Sequence, residues 1–134
     1  IFWEVGGFDS ETFFLYCDDV DFSWLIREKG YDLIFQPAAV VYHDKRLNPD
    51  GSWPAGQAER YYSAEAALLT TYKWSRTDLT ESYLQYFKAS SDEHMLRAAE
   101  AFETRRTTGK LPIQRDSAHK VGVFSKAGYG PNRF

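Results

Sequence analysis

Tyr31-Asp32-Leu33-Ile34-Phe35-Gln36-Pro37-Ala38-Ala39-Val40-Val41-Tyr42-His43 is the stretch on which the fold turns. Two short runs, Tyr31–Phe35 and Ala38–His43, are parted by Pro37, and the second is apolar almost throughout. Short runs rich in β-branched and aromatic residues and bounded by turn residues predict strands. An unbroken apolar run predicts one that is covered on both faces. Upstream, Asp18-Asp19-Val20-Asp21 predicts a helix start, with Asp18 as N-cap and acids in the first turn, where they meet the positive end of the helix dipole. Gly30, behind Arg27 and Lys29, predicts its end. A helix feeding two apolar strands predicts an α/β arrangement for residues 1–50.

Downstream the pattern changes. Residues 44–56 are loop chemistry, punctuated by Pro49, Gly51, Pro54 and Gly56. Tyr61, Ala64, Leu68 and Tyr72 recur at helical spacing and predict a helix over about 57–74. A short helix is predicted over 78–89. A third runs from about Asp92 to Thr107, with Met95, Ala99 and Phe102 as its stripe. In the tail, Val121–Phe124 reads as a strand-like patch. Residues 51–134 are thus expected to be a mostly helical extension.

The composition excludes several classes. Of 134 residues, 43% are hydrophobic and 17% aromatic, which is a folding composition and not that of a disordered tail. No run of eighteen apolar residues occurs, so no spanning helix is expected. The single cysteine, Cys17, excludes an internal disulfide framework and a multi-cysteine zinc site, and suits a reducing compartment. Residues 1–50 carry ten acids against four bases, whereas residues 51–134 carry nine acids against twelve bases. An acidic first third suits a cation-binding or acid–base site. The scattered bases suit a phosphate-backbone footprint poorly, and no nucleic-acid partner is expected. The opening Ile1-Phe2-Trp3 reads as if entered in mid-domain, so a piece of something larger is expected.

Three features could carry chemistry. Asp18, Asp19 and Asp21 could hold a general base or a metal ligand, although helix capping is the simpler reading of the same residues. His43, at the end of an apolar run, could bind a divalent metal or donate to a phosphate, although a lone histidine is more often structural. Gly6-Gly7 could admit close approach of a ligand or could form a plain turn. Tyr61, Tyr62, Tyr72 and Trp74, with Lys73 and Arg76, could face a membrane surface, but an aromatic helix packed on the sheet is the plainer reading.

The order and spacing of these features add what none gives alone. Gly6-Gly7-Phe8-Asp9, then Phe13-Phe14-Leu15-Tyr16-Cys17-Asp18-Asp19-Val20-Asp21-Phe22-Ser23-Trp24, then Gly30-Tyr31 and Pro37-Ala38-Ala39-Val40-Val41-Tyr42-His43 resemble the family 2 glycosyltransferases, and within them the rhamnosyl- and galactofuranosyltransferase-like enzymes. The resemblance covers about residues 5–43. It implies that residues 1–50 are the C-terminal, acceptor-side segment of a GT-A (Rossmann-like) nucleotide-diphospho-sugar transferase domain. Two positions depart from the family pattern. Leu25 replaces the arginine that usually follows the tryptophan, so that arginine's substrate contact is either absent or moved to Arg27, and Ala64-Glu65-Ala66 stands where an Arg-Asn pair is common.

The resemblance implies an inverting, metal-dependent transfer in the synthesis of a bacterial-type surface glycan. Asp19 would be the general base, with Asp18 beside it. His43 would help hold a divalent metal, manganese or magnesium, on the donor diphosphate. Gly6, Gly7, Asp21, Trp24 and Arg27 would line the substrate side. The implied partners are a nucleotide-diphosphate sugar, a glycan or lipid-linked acceptor, and the N-terminal half of the same domain, which bears the donor site. Without that half the chain is expected to show no turnover. The expected place of action is the cytoplasm, with peripheral contact at the inner face of the cell membrane as an option. Two rival readings remain: a glycan- or membrane-surface-binding module using Trp24, Trp53, Tyr61, Tyr62 and Trp74, and an assembly role in which Met95 and Phe102 form a homodimer face.

Overall fold

A computed structural model of the chain describes residues 1–42, 49–51 and 55–124. Five helices account for its regular structure: α1 (Phe2–Val5), α2 (Asp18–Glu28), α3 (Gln57–Lys73), α4 (Thr77–Lys88) and α5 (Glu93–Thr107). The helices foreseen downstream of residue 56 form within a residue or two of their expected bounds. Local signals explain their ends. Glu59 reaches back to accept from the Gly56 N–H at 2.7 Å, and Asp92 accepts from the His94 N–H at 2.9 Å, so the starts of α3 and α5 each have a side-chain partner for a free donor. Gly30 takes φ +85° just past α2 and donates to the Arg27 carbonyl, closing the helix where the sequence placed its end.

The α/β expectation for residues 1–50, with its Rossmann-like GT-A segment, is not met. Among the described residues there is no strand and no sheet. Residues 31–42 run without regular structure apart from a turn at Pro37-Ala38, and Val121–Phe124 pairs with no described residue as a strand. The physical reason is that an apolar, β-branched run records a preference for burial and does not supply the neighbour that completes a ladder. With Gln36 and Pro37 between the two runs, the most this stretch could build alone is a two-stranded ribbon, which is marginal in water. Instead Phe35 is 87% exposed and Tyr42 96% exposed.

The helical extension buries its own core. α3 is the central element, packed by α4 and α5, which also touch each other. Leu68, Leu69, Leu84, Phe87, Ala98 and Phe102 fill the space between them, joined from the first third by Phe13 and Cys17. Phe102 is fully buried and Met95 packs against the same core, so the expected homodimer stripe faces the bundle instead. A second, smaller cluster holds α2 against the end of α3. Trp24 meets Trp74 edge-on at 5.2 Å and Phe124 at 4.9 Å, and Leu25 and Val121 pack around them. No described helix is long and apolar enough to cross a membrane.

Candidate functional site

The first turn of α2 divides its acids. Asp21 is wholly buried, while Asp19, two residues earlier, is exposed and Asp18 is half-buried. Lys73, at the end of α3 with its side chain 6% exposed, donates from Nζ to Asp21 Oδ2 and to Asp9 Oδ2, each at 2.8 Å. Trp74 Nε1 donates to Asp21 Oδ1 at 2.9 Å. Burial pushes the Asp21 carboxyl above its ordinary value, outweighing the bonds from Lys73 and Trp74. Burial also acts on Asp9, but there the hydrogen bonds from Lys73 and Thr12 prevail and hold the carboxyl below its ordinary value. Two distant parts of the sequence, Asp9 and Asp21 on one side and Lys73 and Trp74 on the other, are thereby tied into one knot beneath α2.

Asp18 is the first helical residue and not the N-cap. That position falls to Cys17, which makes no side-chain cap bond. Tyr16 and Cys17 both take left-handed backbone angles, φ +69° and +59°. For residues with a Cβ this conformation costs about 1–2 kcal/mol each, and two in succession turn the chain sharply into α2. Asp19 Oδ1 accepts from the Val20 N–H at 2.9 Å and pairs with no described cation. The simple capping alternative therefore does not account for Asp18, and the anchoring belongs to Asp21.

The other expected site residues are placed as follows. Gly6 and Gly7 form the turn that ends α1, at φ +92° and +74°. A Cβ on Gly7 would lie 3.0 Å from the Phe2 ring, so this glycine allows the ring to lie against the backbone. Phe2, Phe8 and Phe22 pack there at tilted and edge-on angles into an aromatic group, with Trp3 edge-on to Phe2. Trp24 is buried in the second core cluster. Arg27 donates from Nη1 to the Val121 carbonyl at 3.0 Å, so it fastens the tail to α2. His43 and Trp53 lie outside the described residues. Trp74 is fully buried and Lys73 nearly so, which removes both from any membrane-facing patch.

Among the described residues no group of three histidine, cysteine, aspartate or glutamate side chains could hold a metal ion. A cavity of about 580 Å³ opens between the loop at Asp9–Thr12, the C-terminal ends of α3 and α5, and the segment 110–115. Its floor is Lys73. The sequence alone points to neither this cavity nor the knot beneath it, and gives Lys73 a role only in the less favoured, membrane-facing reading of its helix. One signal was present: Lys73 falls between Tyr72 and Trp74 on a strongly apolar stretch of helix, a setting in which an ammonium needs a carboxylate partner. No family model, curated protein or solved structure matches the chain.

Proposed function

We propose that this chain is the acceptor-side, base-bearing part of an inverting glycosyltransferase that uses a nucleotide-diphosphate sugar. The observation that carries the reading is the division of labour in α2: the helix is locked by the buried Asp21 while the Asp19 carboxylate stays open to solvent, just after two strained residues. Strain of this kind gathers at functional sites, and the ordered motifs from Gly6 to Tyr42 support the same assignment. In the proposed reaction Asp19 takes the proton from an acceptor hydroxyl. The oxygen attacks the anomeric carbon from the face opposite the leaving group. The bond from that carbon to the diphosphate oxygen breaks, and the nucleoside diphosphate departs with the electron pair. His43, which would help hold the divalent metal on the donor diphosphate, lies outside the described residues.

A second feature supports a larger assembly. Of the large hydrophobic side chains exposed among the described residues, only Tyr86, Ile113 and Val123 lie outside residues 1–42. In this reading the exposed side chains within residues 1–42 are covered by the polypeptide that carries the donor site. The test is transfer by that complete protein. Asp19→Asn should lower kcat by about 10²–10⁴-fold with the acceptor KM unchanged. Activity above a tenth of the wild type would refute the base assignment. The rival reading, a glycan- or membrane-surface-binding module on Trp24, Trp53, Tyr61, Tyr62 and Trp74, loses Trp24 and Trp74, which are buried. It predicts instead that binding survives Asp19→Asn.

A further inference from the structure

We propose that the cavity floored by Lys73 binds a phosphate- or diphosphate-bearing small molecule, at a site separate from the Asp19 turn and independent of the transferase reading. Its volume, about 580 Å³, falls in the range of small-molecule sites. Four cations line it, Lys73, Arg105, Lys110 and Arg115, against two carboxylates, Asp9 and Glu11.

The hydrogen-bond inventory decides what it takes. An ammonium has three N–H donors and a guanidinium five. Lys73 uses two, on Asp9 and Asp21; its Nζ also lies 5.4 Å from the centroid of the Phe13 ring, and its third N–H has no described oxygen acceptor. Arg115 gives Nε and Nη2 to Glu28 and keeps Nη1 unused. Arg105 has one ion-pair contact, 3.5 Å from Glu65, and Lys110 pairs with no described carboxylate. On the acceptor side Asp9 is engaged by Lys73 and by the Thr12 N–H, which leaves Glu11 as the one unpaired carboxylate of the lining. A concave surface with donors in excess, contributed by α3, α5 and the 110–115 segment, fits a ligand with several anionic oxygens. Arg and Lys together on such oxygens form short, charge-assisted bonds. The apolar side chains of Leu111 and Pro112 complete one wall, which suits the organic part of a phosphate ester.

The experiment is calorimetric titration of the full chain with inorganic pyrophosphate, inorganic phosphate and vesicles of phosphatidic acid in phosphatidylcholine. Far-UV circular dichroism checks that each variant is folded. Saturable binding of pyrophosphate or phosphate is expected. It should weaken about tenfold or more in Lys110→Glu and in Arg105→Gln, and strengthen roughly threefold in Glu11→Gln as a repulsive charge is removed. No saturable binding of either ion would overturn the proposal. So would binding unchanged in all three variants, and so would binding to the vesicles alone.

Discussion

Lys73→Met keeps most of the side chain's volume and removes the charge that faces Asp21. The wild-type contact is 2.8 Å, the Asp21 carboxylate is fully buried, and the Lys73 side chain is 6% exposed. At an effective dielectric near 20 the attraction at that distance is about 6 kcal/mol, before the cost of taking both charges out of water. Deleting one partner of such a pair leaves a buried charge without compensation and costs about 3–5 kcal/mol. Asp21 keeps the Trp74 N–H, which cannot replace a cation, whereas Asp9, with a side chain 27% exposed, can turn to water. Urea unfolding followed by tryptophan fluorescence reads the loss, because Trp24 and Trp74 are both buried beside the pair. With an m value of about 2 kcal/mol/M, the midpoint should fall by about 2 M. The loss should shrink as pH falls towards 4. Without Lys73 the folded-state pKa of Asp21 rises further above its unfolded value, and a raised carboxyl favours the folded state more at lower pH. A midpoint shift under about 0.5 M, or a loss that grows as pH falls, would refute the reasoning.

Two further predictions follow from single positions. Gly7→Ala should destabilise by about 1–2 kcal/mol, since φ +74° is unfavourable for a residue with a Cβ and the new methyl would lie 3.0 Å from the Phe2 ring. The near-UV circular dichroism of the Phe2–Phe8–Phe22 group should change with it. Asp116 accepts from the N–H groups of Lys120, Val121 and Gly122, and these bonds hold its carboxyl below the ordinary value although burial opposes them. A lowered carboxyl gives stability that is present above the unfolded pKa and lost as pH falls through the folded one. Protection factors at those three amides, exchange rates taken relative to the intrinsic rate at each pH, should therefore fall as the solution is acidified below about pH 4, and Asp116→Asn should show the lower protection already at neutral pH.

The helical part of the fold was legible because its signals are local. The spacing of Tyr61, Ala64, Leu68 and Tyr72, the cap at Asp92 and the glycine after Lys29 each act within a turn or two of helix. The sheet was misread because pairing is not local: Val40, Val41 and Tyr42 satisfy a strand's composition, but no neighbour among the described residues offers them a ladder. At the site, the acids of α2 stood out in the sequence but their roles did not. Asp19 and Asp21 look alike on paper, and only the arrival of Lys73 and Trp74 from α3 separates the exposed carboxylate from the buried one. The cavity was illegible for the same reason, since its cations come from residues 73, 105, 110 and 115 and meet only once α3 and α5 are packed.

The central claim is that α2 carries its chemistry on Asp19 and its anchorage on Asp21. The most direct measurement compares Asp19→Asn with Asp21→Asn in the complete protein, recording sugar transfer and thermal midpoint for each. Asp19→Asn should lower transfer by about 10²–10⁴-fold with the midpoint unchanged, and Asp21→Asn should lower the midpoint by several degrees while the folded fraction still transfers sugar. Transfer above a tenth of the wild type by Asp19→Asn, or an unchanged midpoint in Asp21→Asn, would contradict this.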